Sequence, residues 1–329
     1  MSTGFEIEFT KPLDRRVGWE ADSYYIEQMA FDIAAGKSPR RDGVRYPVKS
    51  ASVSADRVKV FLEIPDLKTS HVVYLRLLPP CISEDGERPW STEAWYTLNA
   101  IPMDRVGRVL EPPTPAPQNF LTAEEKAGGW KLLFDGTTTS GWRGFKKKTM
   151  PAGWQAIDGS LVSVGGGGDI VTEKQYDSFE LKFDWRISAA GNSGVFYHVS
   201  EDAPNRFVWE TGPEFQVLDN AEHYDGKNPK TSAGSNYALQ APPRDVTQPI
   251  GLYNESRILV DGNHVEHWLN GVKTAEYEMH GDEWNQLVAG SKFAGMPRYG
   301  TVGKGHIALQ DHGDKVWYRN IKIRELRGK

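Results

Sequence analysis

The stretch Phe179-Glu180-Leu181-Lys182-Phe183-Asp184-Trp185-Arg186-Ile187 alternates strictly between apolar and charged residues. Successive side chains of a β-strand point to opposite faces of the sheet, so an alternation of period two predicts a strand with one buried face. We expect the buried face to carry the odd-numbered residues, namely Phe179, Leu181, Phe183 and Trp185. The charged residues should then lie on the outer face.

A second stretch, Gly212-Pro213-Glu214-Phe215-Gln216-Val217-Leu218-Asp219-Asn220, predicts a strand with two different faces. Alternation places Phe215 and Val217 on the core face, and Glu214 and Gln216 on the other. A carboxylate beside an amide can line a polar groove that holds hydroxyl-rich ligands. A surface strand with solvated polar residues explains the same pattern, and this stretch alone does not decide between the two.

The surrounding sequence favours antiparallel β-structure over helices. Short alternating segments recur throughout the C-terminal part of the chain, and helical periodicity is nearly absent. Asp158-Gly159 and Asn270-Gly271 are typical of the tight turns that join hairpin strands. The abundance of Trp, Tyr and Gly (11, 13 and 33 residues) agrees with strands joined by glycine-rich turns. These patterns predict an all-β sandwich.

Length and composition restrict the class of protein. A chain of 329 residues predicts two domains, or one large β domain and a smaller module. The composition, 39% hydrophobic and 25% charged, is that of a soluble globular protein. A net charge of −5 gives no support for nucleic-acid binding, and no apolar run is long enough to span a membrane. Cys81 is the single cysteine, so no disulfide can form within the chain. The N-terminus lacks the pattern of a signal peptide, and a chain cut from a longer precursor would lack it too.

The sequence predicts two domains and a linker. Residues 1–105 contain alternating segments typical of a small β module, such as Phe5-Glu6-Ile7-Glu8-Phe9. Residues 106–127 form the linker, in which the segment 111–117 carries four prolines in seven residues and favours an extended spacer. Within it, Thr122 and Glu125 have the spacing of a helical capping box. Residues 128–329 form the larger β domain.

The first module resembles the immunoglobulin- or fibronectin-like β-sandwich at the C-terminal end of secreted sorbosone-dehydrogenase-like proteins. The matching segments are Gly4-Phe5-Glu6-Ile7-Glu8-Phe9-Thr10-Lys11-Pro12-Leu13 and Tyr96-Thr97-Leu98-Asn99-Ala100-Ile101-Pro102. The resemblance implies a fold for residues 1–105. It does not extend to a dehydrogenase activity.

The second domain carries a set of motifs in a fixed order. They are Leu133-Phe134-Asp135-Gly136 with Gly141-Trp142, Asn192-Ser193-Gly194-Val195, Pro213–Asp219, Trp268-Leu269-Asn270-Gly271, and Gly305–Gly313 with Arg319-Asn320-Ile321. Together they closely resemble the 3-keto-disaccharide hydrolase domain family, once known only as a domain of unknown function. The resemblance implies a concanavalin-like jelly roll of two antiparallel sheets, one of them concave, that acts on 3-keto-glycosides. It also implies a periplasmic or extracellular location.

These motifs contain four candidate groove residues. Glu214 and His312 are the candidate general acid and base, without a decision on which is which, because a histidine exchanges protons near neutral pH. Asn192 and Gln216 would hold hydroxyl groups or the enolate of a keto-sugar. A turn residue explains Asn192 equally well, and a hairpin residue beside Gly313 explains His312.

Aromatic residues in polar settings are candidates for the rim, because apolar sugar faces stack on aromatic rings. Tyr237 and Trp284 meet this description, whereas Trp185 and Trp268 lie in predicted strands and should belong to the core. No cofactor is evident, although the loop Asp225-Gly226-Lys227-Asn228 offers ligands for a cation. The expected partner is an oligosaccharide or glycoside.

Two functions fit these observations. The first is an enzyme that removes the proton on carbon 2 of a 3-keto-glycoside, expels the leaving group from carbon 1 and hydrates the product. Only Glu214 stands out as a groove carboxylate, with Asp184 and Glu266 as weaker candidates, so the pattern departs from two-carboxylate glycosidases. The second is a non-catalytic carbohydrate-binding module of a larger, multidomain secreted protein.

Overall fold

A computed structural model of the chain describes residues 1–30, 44–103, 105–110, 117–202 and 204–326. The chain divides into two compact units, Met1–Pro115 and Ala116–Lys329. Across these described ranges, every helix is too short or too polar to cross a membrane.

The first unit is a small β-sandwich, as the sequence predicts. The described residues of this unit form six strands, which are β1 (Gly4–Glu8), β2 (Tyr24–Ala30), β3 (Ser50–Val53), β4 (Lys59–Glu63), β5 (His71–Leu77) and β6 (Glu93–Leu98). They form two three-stranded antiparallel sheets, in the orders β1-β4-β3 and β2-β5-β6. Buried residues of both sheets, among them Ile26, Val60, Leu62 and Tyr74, form its core.

The proline-rich segment that we assigned to the linker lies outside the described residues, except for Pro117. The backbone N–H of Leu110 donates to Ser52 of the first unit (2.9 Å), and that of Asn119 donates to the Asn320 side chain of the second (2.7 Å). The capping box of Thr122 and Glu125 is present. Leu110 is therefore tied to the first unit and Asn119 to the second.

In the part of the second unit that the structure describes there are two short α-helices and thirteen strands. In chain order they are α1 (Ala123–Ala127), β7 (Lys131–Leu132), β8 (Trp142–Gly144), β9 (Trp154–Ile157), β10 (Ser160–Ser163), β11 (Ile170–Tyr176), β12 (Phe179–Ile187), β13 (Asn192–Val199), β14 (Glu214–Leu218), β15 (Asn254–Asp261), β16 (His264–Leu269), β17 (Val272–Glu278), α2 (Asp282–Ala289), β18 (Gly305–Leu309) and β19 (Val316–Glu325). The strands form an eight-stranded sheet, β17-β16-β15-β12-β19-β10-β9 with β7 beside β19, and a five-stranded sheet, β14-β13-β18-β11-β8. All strand pairs are antiparallel, as expected for the predicted sandwich.

The alternation in β12 sets its two faces as predicted. Phe179, Leu181, Phe183 and Trp185 are all buried in the core between the two sheets. On the outer face, Glu180 forms ion pairs with Arg257 and Arg324. Trp185 therefore belongs to the core.

Trp268 corrects the prediction made for the second strand tryptophan. It is half-buried on the outer face of β16, where its indole N–H donates to Glu266 (2.8 Å). The cations of Arg257 and Lys273 each lie 5.5 Å from its ring centroid. Alternation within β16 gives the core positions to Val265, His267 and Leu269, so Trp268 faces outward.

The predicted hairpin turns are present. Asp158 and Gly159 join β9 to β10 with φ of 48° and 73°, and Asn270 and Gly271 join β16 to β17 with φ of 48° and 79°. Two consecutive residues with positive φ match the twist of the paired strands, which explains the Asp-Gly and Asn-Gly pairs.

Candidate functional site

A pocket of about 580 Å³ lies on the face of the five-stranded sheet that is turned away from the core. Strands β13 and β14 form its floor, because Asn192, Glu214 and Gln216 line it while Phe215 and Val217 point into the core. The two faces predicted for the Gly212–Asn220 stretch are therefore present. The groove side of β14 is enclosed rather than solvated, since Glu214 is 6% exposed and Gln216 is 0% exposed.

The Asn192-Ser193-Gly194-Val195 motif alternates between the pocket and the core. Asn192 begins β13 and lines the pocket, whereas Ser193 points inward, donates to the Gln310 carbonyl (2.8 Å) and bonds the Tyr318 hydroxyl (2.8 Å). Gly194 leaves room for the carboxyl group of Glu214. A Cβ atom added at Gly194 would lie 2.2 Å from Glu214 Oε1. The glycine of the motif is thus required by the position of Glu214.

Replacing Gly194 with alanine should push the Glu214 carboxyl group out of place while the strand itself persists. A displacement of about 1 Å at a reacting group can cost roughly 10²-fold in rate, and we expect a loss of turnover of that size. The measurement is the rate of catalytic turnover, with the circular dichroism spectrum as the check on folding. Gly303→Ala is the matched control, because a Cβ atom there meets nothing within 4 Å. Equal turnover in the two variants would contradict the role of Gly194.

The environment of Glu214 favours its protonated form. Burial raises the pKa of Glu214 well above its usual range, and the negative charges of Asp169 and Asp225 act in the same direction. The positive charge of Lys292 opposes them. A carboxyl group with a raised pKa can both accept and return a proton near neutral pH, as a general acid–base catalyst must.

Lys292 is the cation that acts on Glu214. It starts the 3-10 turn Lys292–Gly295 after α2, and the side chain of the preceding Ser291 accepts a hydrogen bond from Phe293 N (3.1 Å). Its ammonium lies 4.1 Å from the centroid of the Tyr237 ring. Desolvation lowers the pKa of Lys292, against the raising effect of Glu214 and Asp225.

A second carboxyl group that lines the pocket is Asp169, which is half-buried and directly precedes β11. Burial raises its pKa to about 6, and the neighbouring Asp311 adds to the shift, although Asp169 accepts a hydrogen bond from Asp311 N (3.0 Å). Four consecutive glycines, Gly165–Gly168, connect β10 to β11, and we call them the tetraglycine connection. Asp311 holds this connection in place, since Gly167 N and Gly168 N donate to Asp311 Oδ2 (2.7 and 2.8 Å), and Gly168 lines the pocket.

Asp225 and Tyr237 line the side of the pocket beyond β14. The Tyr237 hydroxyl donates to Asp225 Oδ2 (3.3 Å), and Asp225 N donates to His223 Nδ1 (3.1 Å). His312 lies at the mouth, with 46% of its side chain exposed and its ring centroid 6.3 Å from that of His223. His312 and Glu214 thus line the same pocket from its mouth and its floor.

Aromatic side chains form the remaining wall. Phe207 and Trp209 stack with centroids 4.4 Å apart and an interplanar angle of 6°, and Phe145 packs with Trp209 against the apolar part of the sheet face. Tyr224 is exposed at the rim. The pocket combines acidic, basic and aromatic groups, a composition suited to a sugar ring and its substituents.

A family model described as a 3-keto-alpha-glucoside-1,2-lyase-like domain matches residues 129–324. The chain belongs to this family. A 3-keto-disaccharide hydrolase of Bacteroides thetaiotaomicron is 34% identical over 243 residues, which cover 64% of this chain and 83% of that protein. A solved structure from Parabacteroides distasonis, assigned to the glycosyl hydrolases, is 38% identical with a TM-score of 0.60, and the match covers 64% of this chain and 100% of that one.

Membership in the 3-keto-alpha-glucoside-1,2-lyase-like family confirms the resemblance drawn from the motifs.

Of the six site residues predicted from the sequence, five line the pocket: Asn192, Glu214, Gln216, Tyr237 and His312. Gln216 differs from the prediction in its contacts. Its amide N–H donates to Thr231 O (3.2 Å) and its Oε1 accepts from Val217 N (3.2 Å), so it braces the pocket floor. Asn192 Oδ1, in contrast, is buried without a partner in the described residues and can accept from a ligand hydroxyl.

Trp284 is the one site residue that the structure places elsewhere. It is 3% exposed and packs in the core, stacked between Tyr277 (5.1 Å) and Tyr299 (5.9 Å). The polar neighbours Glu283 and Asn285 suggested a rim, but they lie on α2, whose helical periodicity turns Trp284 inward and its neighbours outward. Trp284 is therefore not at the rim.

Strand β18 precedes His312 but does not contain it. Ile307 and Leu309 point into the core and Ala308 to the opposite face, as alternation predicts. Strand β18 ends at Leu309, so His312 reaches the pocket from a loop.

Several pocket residues were not identified from the sequence. Lys292 lies in a turn with no recognisable motif, and Asp169 directly precedes β11 without a motif of its own. The weaker carboxylate candidates are on the eight-stranded sheet instead, where Asp184 accepts from Asn320 (2.7 Å) and Glu266 pairs with Lys273 (2.9 Å). Asp169 directly follows the tetraglycine connection, and this position was the only sequence signal that could have identified it.

Among the residues that the structure describes, one group of possible metal ligands lies on the eight-stranded sheet, away from the pocket. Ligand atoms of His264, Glu266 and Glu276 are within 4.8 Å of one another. Lys273 forms ion pairs with both glutamates (2.9 Å between Nζ and a carboxylate oxygen of each), so each carboxylate is already paired with a protein cation. His264 and His267 point to opposite faces of β16, as the sequence predicts.

Proposed function

We propose that the second unit cleaves glycosides that carry a ketone at carbon 3, by elimination followed by hydration. The observation that supports this most directly is Glu214, a buried carboxyl group with a raised pKa on the floor of a sugar-sized pocket. Membership in a 3-keto-alpha-glucoside-1,2-lyase-like family and similarity to a 3-keto-disaccharide hydrolase support the substrate class.

In this proposal the carboxylate of Glu214 removes the hydrogen on carbon 2. The adjacent ketone makes that hydrogen acidic, because the electron pair left on carbon 2 delocalises onto the oxygen on carbon 3. The developing charge needs a donor, and Asn192 and Lys292 line the same pocket. Asn192 Oδ1 accepts a hydrogen bond from a sugar hydroxyl and fixes the ring over Glu214.

The enolate then expels the oxygen substituent from carbon 1. His312 is placed to protonate that leaving oxygen, because it stands at the mouth through which the leaving group departs. Water adds to carbon 1 of the unsaturated intermediate, and a proton returns to carbon 2. The net reaction consumes one water and gives the 3-keto sugar and a free hydroxyl compound, so an elimination produces the products of a hydrolysis.

Cleavage in D₂O tests this sequence of steps. The protein is incubated with a 3-keto-disaccharide and with the unoxidised parent disaccharide, and the products are analysed by mass spectrometry and NMR. We expect cleavage of the keto-disaccharide alone, with deuterium on carbon 2 of the released keto-sugar. A parallel incubation without protein corrects for exchange of that hydrogen in solution.

Other outcomes reject specific parts of the proposal. Cleavage with hydrogen retained on carbon 2 contradicts elimination and favours direct displacement at carbon 1. Cleavage of the unoxidised parent at an equal rate contradicts the requirement for the ketone. Saturable binding of the keto-disaccharide without cleavage supports a carbohydrate-binding module instead of an enzyme.

A further inference from the structure

Two lysines line the pocket, and their surroundings differ. The Lys147 ammonium donates to the Gly167 carbonyl (3.0 Å) and so helps to hold the tetraglycine connection. In the described part of the chain, the Lys292 ammonium contacts ring faces rather than a hydrogen-bond acceptor: it lies 4.1 Å from the Tyr237 centroid and 5.2 Å from that of Phe293. Lys292 is therefore the pocket lysine whose nitrogen is not committed to the fold.

The position of Lys292 is fixed by its neighbours although its own side chain is open to the pocket. Phe293 is 1% exposed and stacks on Tyr299 with centroids 3.9 Å apart and an interplanar angle of 8°. The 3-10 turn that begins at Lys292 is capped by Ser291. A reactive nitrogen on a short turn anchored by a buried ring can meet a substrate in one geometry, as covalent catalysis requires.

From this arrangement we propose that Lys292 is a catalytic nucleophile that forms a Schiff base with the ketone on carbon 3 of the substrate. The inference rests on the proposed function, because a 3-keto-glycoside brings a carbonyl group into the pocket. Lysine amines that are desolvated beside apolar groups are suited to this reaction, since only the neutral amine attacks a carbonyl. Lys292 is an exposed residue, and desolvation of its ammonium lowers its pKa against the raising effect of Glu214 and Asp225.

The steps balance without a co-reactant. The neutral Lys292 nitrogen adds to carbon 3, and the oxygen leaves as water, protonated by the Glu214 carboxyl group. The resulting iminium group holds a positive charge next to carbon 2, so its hydrogen is more acidic than that beside a ketone. The Glu214 carboxylate takes this proton, and the enamine expels the leaving group from carbon 1 as the iminium re-forms.

Two waters complete the cycle. One adds to carbon 1 while a proton returns to carbon 2, and the other hydrolyses the iminium group and releases Lys292 and the 3-keto sugar. The water released when the Schiff base forms equals the water consumed when it breaks. The same carboxyl group thus serves as acid and base, which explains why Glu214 is kept protonatable beside a lysine.

Reductive trapping tests the proposal. The full chain is incubated with a 3-keto-disaccharide and sodium cyanoborohydride, which reduces an iminium group to a stable amine far faster than it reduces a ketone. We expect one added sugar unit per chain by intact mass and its location on Lys292 by peptide mapping. Lys292→Arg keeps the positive charge without the nucleophile, and should lose both the adduct and turnover. The matched variant Lys147→Arg should keep the adduct.

The outcomes separate this inference from the proposed function. Turnover of the keto-disaccharide by the unaltered chain without any trapped adduct overturns the Schiff base and leaves elimination through an enolate. Full turnover by Lys292→Arg also overturns it and assigns Lys292 an electrostatic role. An adduct on Lys292 without cleavage supports the covalent step and contradicts the proposed reaction. Circular dichroism of each variant confirms that it is folded.

Discussion

Glu214→Gln lowers the turnover of a 3-keto-disaccharide by roughly 10²- to 10⁴-fold, the usual contribution of general acid–base catalysis. The substitution keeps the size of the side chain and its place over Gly194, and removes its ability to give up and take up a proton. Binding of the keto-disaccharide should survive better than turnover, because Asn192, Tyr237 and the aromatic wall remain. The measurements are kcat and the dissociation constant of the keto-disaccharide for both chains.

Glu214→Gln should lower turnover but should gain stability, relative to the unaltered chain, as the pH is raised. The pKa of Glu214 is higher in the folded chain than its ordinary value of about 4.3. A carboxyl group with a raised folded pKa stabilises the fold fully below the unfolded pKa, and that contribution is lost as pH rises through the folded pKa. The free energy of unfolding of Glu214→Gln, relative to that of the unaltered chain, should therefore rise with pH across this window. Lys292, Asp169 and Asp225 face the same carboxyl group and are unchanged in the comparison.

Glu276→Gln is the matched control, because Glu276 is an exposed carboxylate on β17 of the other sheet. It should leave kcat unchanged. If Glu214→Gln retains the turnover of this control, Glu214 is not the proton-transfer residue. A loss of turnover combined with a lower free energy of unfolding at every pH would instead assign Glu214 a structural role.

The strands and the faces of the second unit could be predicted because alternation is a local signal. The pattern of Phe179–Ile187 specifies its own buried face, and Asp158-Gly159 specifies its own turn, so no knowledge of distant residues is needed. The same logic placed Glu214 opposite Phe215. It did so correctly because β14 packs its apolar face on the core, and a shift of register would turn Glu214 into that core instead of the pocket.

The parts of the site that were missed depend on long-range contacts. Lys292 and Asp169 meet Glu214 only after the chain has folded, and neither lies in a pattern that points to a partner. Trp284 was misplaced for a different reason. Its polar neighbours in the sequence suggested exposure, but α2 turns Trp284 into the core and those neighbours outward. The raised pKa of Glu214 is likewise a property of its burial, which the residue type cannot reveal.

Trp284→Ala should lower the free energy of unfolding by about 3–5 kcal/mol, the usual cost of removing a buried aromatic side chain. The indole sits between Tyr277 and Tyr299, and Tyr299 in turn stacks on Phe293. Its removal leaves a cavity lined by rings that cannot close around it without losing their own contacts. Urea unfolding followed by circular dichroism measures the change, and Trp284→Phe should lose less because a ring remains in the stack.

Trp268→Ala is the comparison variant that shows whether Trp284 acts in the core or in sugar binding. Trp268 is half-buried on the outer face of the other sheet, so its removal should cost much less stability and leave kcat and KM unchanged. The ring stack that contains Trp284 ends at Phe293, the neighbour of Lys292. Trp284→Ala loosens this stack, and we expect it to lower kcat more than it raises KM. A rim residue would show the reverse, with stability unchanged and KM raised, and that result would return Trp284 to the sugar-binding surface.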